Sequence, residues 1–424
     1  MARMLGGAVI VGCLSGFLSG AGSPALAGDA GTAGQAPELR ALWVLRTSLN
    51  SPQSIAALVD SARVNGFNTL LVQVRGRGDA YYAGGTEPRA VDLARQPASF
   101  DPLAEVLRAA HEADIRVHAW INVNLVSSAV ALPIPREHLV HRRPEWLMVP
   151  RELAGELSRV DPAAPAYVRR LAQWTRGQSA NVEGLYASPI HPAAVEHMTT
   201  IVRGIARRYA VDGIHFDYAR YPTERFDYSR DAVREFRAWV EPRLPAAQRQ
   251  GLTARAKVNV LAFPDGLPAE WRRFRVARMT TMMSRLRDAA KAERPGVVVS
   301  VAVKADDRDA LEHRLQEWPR WLENGTVDAV APMAYTTEPS QFTSQIAAAR
   351  AAAAGRQVWA GIGAYRLTPA QTVANITSAR RLGAEGFVLF SYDSLTQPGQ
   401  KTRDYLAVVG RAARSQASAP EGSR

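Results

Sequence analysis

The chain reads as an α/β protein, a single domain folded as a (β/α)8 TIM barrel with long insertions in its βα-loops. Two observations predict this. From Glu38 onward, short apolar strand-like runs alternate with amphipathic helical patterns eight times. Eight parallel strands joined by right-handed helical crossovers close naturally into a ring. The competing solution, a doubly wound open sheet, lacks its marker, because no Gly-x-Gly-x-x-Gly follows an early strand.

The first strand is Arg40 to Leu45. Ser51-Pro52 then opens a helix, Ser as N-cap and Pro in the first turn, with Ile55, Leu58, Val59 and Ala62 on one face. Asn65-Gly66 ends it, and Asn68 to Val74 is the second strand. Asp101-Pro102 starts a helix ending near Asp114, and Ile115 to Val123 is the third strand. A helix from Pro192 to Tyr209 leads to the fourth strand at Gly213. A helix from Trp271 to Arg294 leads through Pro295-Gly296 to the fifth, Val297 to Val303. One helix is expected over 309–323, ending at Asn324-Gly325 before the sixth strand, Val327 to Tyr335. A helix from Pro339 to Ala354 precedes the seventh strand at Val358, and Thr368-Pro369-Ala370-Gln371 is a capping box. Phe387 to Tyr392 is the eighth strand, and a last helix spans 402–413. Three βα connections are unusually long (79–100, 125–190 and 222–268) and fall on the C-terminal face, where barrel active sites sit.

The termini stand apart from this pattern. Arg3, the small-residue apolar run Leu5 to Leu18 and Ala25-Leu26-Ala27 form a signal peptide over 1–27, cleaved near Ala27. The run is too short and too Gly-rich to span a membrane, and no second long apolar segment follows. Ile10-Val11-Gly12-Cys13 only loosely fits lipoprotein cleavage at Cys13. Removal after Ala27 leaves an exported chain with no cysteine, and so without disulfides. Residues 28–37 read as a Gly/Ala linker, 38–413 as the barrel and 414–424 as a disordered tail. Of the 424 residues 47% are hydrophobic and 22% charged, enough for a large core. The net charge of +12 is scattered as Arg, with no basic-and-aromatic signature of nucleic-acid binding.

Strand alternation assigns side chains to the barrel mouth. The stretch Val211 to Pro222 is the centre of this reading, because His215 and Asp217 share one face of the fourth strand as it breaks into a loop. Arg220 either pairs with Asp217 or holds substrate. Gln73 and Arg75 come from the second strand, and Trp120, Asn122 and Asn124 from the third. Lys304 with Asp306 come from the fifth, and Met333 and Tyr335 from the sixth. Trp359 and Tyr365 come from the seventh, and Tyr392 or Asp393 from the eighth, depending on register. A one-residue slip inverts any of these sets. Amides, Arg, carboxylates and aromatic faces suit the hydroxyls and apolar ring faces of sugars. Other chemistries fit less well. The first strand lacks His-x-His, His215 and Asp217 have no third metal ligand, and no Ser elbow or Cys nucleophile is present. No metal or cofactor is expected.

These residues carry a resemblance. Glu38 to Trp43, Asn68 to Arg75, Ala119 to Asn122, Arg143 to Leu147, Ser188 to His197, Asp212 to Pro222 and Ala331 to Tyr335 resemble the bacterial glycosyl-hydrolase-like ten family. These are secreted barrel enzymes related to those that cut peptidoglycan glycan strands. The sequence departs from the family in placing Tyr218 after Asp217, where two adjacent acids are common. A chitinase-type pattern is excluded in its usual form, because His215 replaces its middle Asp.

The resemblance implies a glycosidase, with a polysaccharide as partner and Asp217 as the first catalytic carboxylate. Its partner acid is Glu338, in the loop after the sixth strand, or else Asp393 or Asp306. Arg75, Asn122, Lys304 and Tyr335 would hold substrate or tune the acids. A non-catalytic glycan-binding barrel is the rival reading. A third, an enzyme acting on phosphorylated or otherwise anionic sugars, is favoured only by Arg75, Arg77 and the turn Gly361-Ile362-Gly363. The oligomeric state is not encoded in any of these features.

Overall fold

Strands β1 (Leu39–Val44), β2 (Thr69–Arg75), β3 (Arg116–Asn122), β4 (Gly213–Asp217), β5 (Val298–Lys304), β6 (Ala329–Ala334), β7 (Gln357–Ile362) and β8 (Gly386–Phe390) form one closed parallel barrel in chain order. β8 closes on β1 through pairs running from Leu39↔Gly386 to Trp43↔Phe390. The computed structural model describes residues 37–397 and 404–417. The expected signal peptide, Cys13, nearly all of the linker and the end of the tail lie outside the described residues.

Side-chain alternation builds two apolar layers. Leu42, Val44, Leu70, Val72 and Ile214 face outward and pack against the surrounding helices. Ala41, Trp43, Leu71, Trp120, Trp359 and Val388 fill the ring. Three tryptophans inside one barrel need small residues opposite them, and Ala302, Ala329 and Ala331 are that counterweight. Two inward positions have no room even for a methyl group. A Cβ at Gly361 would lie 3.0 Å from the Trp43 ring, and one at Gly213 would land on the His118 ring. Gly213→Ala is therefore expected to cost about 1–3 kcal/mol through overpacking, read as a lower urea midpoint. An unchanged midpoint would contradict this packing.

The local signals act as their chemistry dictates. Ser51 and Thr368 each form a reciprocal capping box, Asp101 caps its helix through the Ala104 amide, and Gly66 and Gly383 take positive φ after helices.

Four expectations change. The helix expected over 309–323 is two, Asp307–Arg314 and Trp318–Glu323, because Leu315 turns left-handed at φ 53° and ends the first. β8 stops at Phe390. Tyr392 and Asp393 instead begin the helix Tyr392–Thr396, capped by Ser391. The last helix, Tyr405–Ala417, runs past Ala413 into the segment read as tail. The second and third long connections hold helices of their own, including Pro165–Gly177 and Arg230–Val240, each with its own apolar cluster.

Candidate active site

At the C-terminal mouth of the ring opens a cavity of ≈ 860 Å³. Each part of its lining follows from where a strand ends. Trp120 and Asn122 come from β3, Asp217 from β4, Lys304 from β5 and Met333 from β6. Beyond the strands stand Tyr218 and Arg220, then Tyr335 to Glu338. Trp43 and Phe390 wall the side where β1 meets β8.

Asp217 is buried at the last residue of β4, where its carbonyl accepts from the Val123 amide at 2.7 Å. Tyr218 then takes φ 52°, a sharp reversal for a non-glycine residue. The reversal brings Arg220 back over the Tyr218 ring, 4.1 Å from its centroid. Asp217 Oδ1 accepts from the Tyr218 amide at 2.6 Å and from Arg220 Nη1 at 3.1 Å. Arg220 also reaches Glu183 at 3.7 Å. Burial raises the Asp217 carboxyl above the ordinary carboxylate range, and Arg220 and the amide only partly oppose this. An acid with a raised pKa keeps its proton to higher pH than a free carboxyl does, which is the property a general acid uses. Burial, then Asp217, lifts the Tyr335 phenol well above its ordinary range.

Below the cup lies a fixed layer. Trp43 Nε1 donates to His215 Nε2 at 3.0 Å, and His215 Nδ1 lies 2.9 Å from Ser300 Oγ. Indole N–H only donates, so His215 is neutral with its proton on Nδ1. Burial, then His118, holds His215 well below its ordinary pKa. Trp120 Nε1, Asn122 Oδ1 and Arg220 Nε, all on residues lining the cup, are buried without a hydrogen-bond partner. Each is a donor or acceptor that a bound ligand or a water can complete.

Of the candidate residues, Asp217, Glu338, Trp120, Asn122, Arg220, Lys304 and Tyr335 line the cup. The others stand elsewhere, each for a physical reason. Arg75 faces away from the ring. A bulge shifts the β2–β3 register between Gln73 and Arg75, so Arg75 pairs with outward Ile121 and its guanidinium binds Glu87 at 2.6 Å. Asp393 does not reach the cup, because its carboxylate accepts from the Leu45 amide at 2.7 Å and from Thr47 and Ser48. Asp306 caps the next helix through the Asp309 amide. Asn124 donates to the Ala187 carbonyl, and His215 is sealed beneath Trp43. Trp359 lies deeper in the ring against His118, its centroid 5.6 Å away. Tyr392 packs into the outer core, and Tyr365, half exposed, braces Tyr335 and Phe390 from outside the lining.

Several lining residues were not named as site residues. Trp43 was legible as the third of the inward set Leu39, Ala41, Trp43. Gln341 and Gln345, one helical turn apart, carry a spacing signal. Arg46 and Arg366 lie in single 3-10 turns, Arg46–Leu49 and Ala364–Arg366, too short to carry a periodic signal. Among the described residues no three His, Cys, Asp or Glu side chains come together as a metal-holding group. No helix among the described residues is long and apolar enough to cross a membrane.

Comparison with known proteins bears on the family and the fold. The profile of the family described as glycosyl hydrolase-like 10 matches residues 38–378. The chain is 25% identical over 309 residues to glycosyl hydrolase DigH of Escherichia coli (strain K12), covering 69% of this chain and 62% of the relative. It is 20% identical over 331 residues to glycosyl hydrolase YngK of Bacillus subtilis (strain 168), covering 70% and 54%. The chain thus spans less than two thirds of these relatives' length. Among solved structures, the PgaB (BpsB) glycoside hydrolase domain from Bordetella bronchiseptica shares the fold at a TM-score of 0.59 and 16% identity, over 86% of this chain and 96% of that one.

Proposed function

This chain belongs to the glycosyl hydrolase-like 10 family, and on that premise we propose that it is an exported glycoside hydrolase of the cell envelope that cuts peptidoglycan glycan strands. One observation carries the reading: a buried carboxyl with a raised pKa, Asp217, lines the same aromatic-walled cavity as a second acid, Glu338. Asp217 is assigned as the proton donor to the leaving glycosidic oxygen. Glu338, exposed in the loop after β6, is assigned as the carboxylate that activates water or attacks the anomeric carbon. Tyr335 and Phe390, half-buried on the cup wall, are assigned as the rings on which a sugar stacks, over a floor made by Trp43 and Trp120. The export assignment rests on the composition of residues 1–27.

The test is digestion of isolated peptidoglycan, with and without its stem peptides, followed by mass analysis. Release of glycan fragments is expected. A specific contact favours the second reading, a glycan-binding barrel: the Arg220 ion pair steadies the Asp217 anion against accepting a proton. Binding of the glycan with no fragments released would select that reading.

The pH dependence follows from the shift on Asp217. With its pKa raised, Asp217 carries its proton to higher pH than a free carboxyl does. As pH climbs through that value the donor is lost, so kcat/KM should fall along an alkaline limb displaced above the ordinary Asp range. Stability has the same sign, because folding favours the protonated form and loses that contribution as pH rises through the folded pKa. A pH–rate profile flat through this region would remove Asp217 from the donor role.

A further inference from the structure

The charges around the cup do not balance. Five cationic side chains line it (Arg46, Arg77, Arg220, Lys304 and Arg366) against two carboxylates, Asp217 and Glu338. Arg220 is matched by Asp217 and Glu183. Among the described residues Arg46, Arg77 and Lys304 make no ion pair. Arg46 Nη1 donates to the neutral amide of Gln73 at 3.1 Å, and its Nε is buried without a partner. Arg77 is exposed as a residue, and its side chain reaches into the lining of the cup. Burial and then the like charge of Arg46 depress its pKa, while Asp79, engaged by the Arg77 backbone amide, pulls more weakly the other way. Lys304 is depressed by burial and then by Arg220 and Arg314. The fold therefore crowds positive charges that repel one another and leaves their donors facing the cavity. That arrangement is unfavourable in the empty protein and is relieved by an anion.

Arg46 and Arg77 also line a second cleft of ≈ 270 Å³, together with Arg89, Val91, Leu132, Ile134 and two carboxylates, Asp79 and Asp92. Each of these carboxylates already accepts a hydrogen bond, Asp79 from the Arg77 amide and Asp92 from the Tyr81 hydroxyl. The two arginines thus stand where the main cup and this side cleft share a wall. Lys304 ends β5, on the side of the ring opposite β1.

The geometry points to an oxyanion subsite at Arg46 and Arg77, with Lys304 as a second cation across the mouth, so that the glycan accepted here bears carboxylate or phosphate substituents. The inference rests on reading the cup as a glycan site and names the chemical class of its occupant. Two guanidiniums offer forked donors suited to either oxyanion. The side cleft gives room for the substituent that carries the charge, while the sugar ring stays in the cup beside Asp217.

The first test does not need a glycan. Trp43 and Trp120 line the cup, so their fluorescence should report titration with inorganic phosphate. Saturable quenching is expected, weakened about tenfold or more in Arg77→Met and again in Lys304→Met. Neither change removes a buried ion pair, and an unchanged melting temperature checks that each variant is folded. The second test measures binding of peptidoglycan glycan by Asp217→Asn protein. The glycan is used untreated, after carbodiimide–borohydride reduction of its carboxylates, and after removal of its phosphate with hydrofluoric acid. The treatment that weakens binding identifies the oxyanion, and Arg77→Met should abolish the difference. Phosphate binding lost in Arg77→Met with no glycan bound would uphold the subsite and sink the hydrolase reading. No response to phosphate, together with equal binding of all three glycans, would overturn the inference.

Discussion

Asp217→Asn is expected to leave the barrel folded and to lower kcat by about 10²–10⁴-fold, the usual contribution of a positioned acid. The amide has the shape of the carboxyl and keeps an oxygen to accept from the Tyr218 amide and from Arg220. The left-handed turn at Tyr218 and the stacking of Arg220 over it should therefore persist. An amide carries no proton of suitable acidity, so donation to the leaving oxygen is lost while binding stays. Fragment release from peptidoglycan and the melting temperature, measured on the same preparation, separate the two effects. Turnover within a factor of a few of the parent would end the assignment. Glu338→Gln supplies the complement: its side chain is exposed, so a loss of rate there cannot be blamed on folding.

The barrel was legible because its signals are local. Caps at Ser51, Asp101 and Thr368, glycines after helices and eight apolar runs each act within a few residues. The mouth was legible only as far as strict alternation holds. Asp217, Asn122, Trp120 and Lys304 lie at strand ends with regular register, and they reach the cup. Arg75 fails by one residue, because the bulge after Gln73 is set by pairing with β3 and leaves no mark in β2 alone. Asp393 fails because the strand stops two residues early and a serine cap converts the rest to helix. The return of Arg220 over Asp217 depends on the reversal at Tyr218, and a left-handed tyrosine is not an expectation that composition supports. The cations Arg46 and Arg366 come from segments without period, so only the folded chain brings them to Asp217.

Arg75, displaced from the site, carries the second large expectation. Arg75→Met should destabilise the protein by about 3–5 kcal/mol, the cost of stranding one member of a buried pair. Both side chains are 1% exposed. Arg75 grips Glu87 through two parallel contacts of 2.7 and 2.6 Å and donates to the carbonyl of Asn122, while His197 approaches Glu87 at 3.2 Å. Arg75 and its partners hold the Glu87 carboxyl down to about 2 despite burial. A depressed carboxyl contributes stability that is present above its unfolded pKa. That contribution is lost as pH falls through the folded value, here between about 4.5 and about 2. Without Arg75 the same carboxyl is left with His197 alone, its pKa should rise, and acid should no longer unfold the protein through this window. Arg75→Met with Glu87→Leu removes both charges and should recover most of the loss, since apolar replacement of a whole buried pair is often close to neutral. Urea midpoints of the two single variants and the double close the cycle. An Arg75→Met midpoint equal to the parent's would show that the pair contributes nothing. Glu87 belongs to the first long connection and Arg75 to β2, and the carbonyl they steady belongs to Asn122, whose side chain lines the cup. The ion pair therefore couples the insertion to the end of β3, and its loss should weaken glycan binding even where the barrel survives.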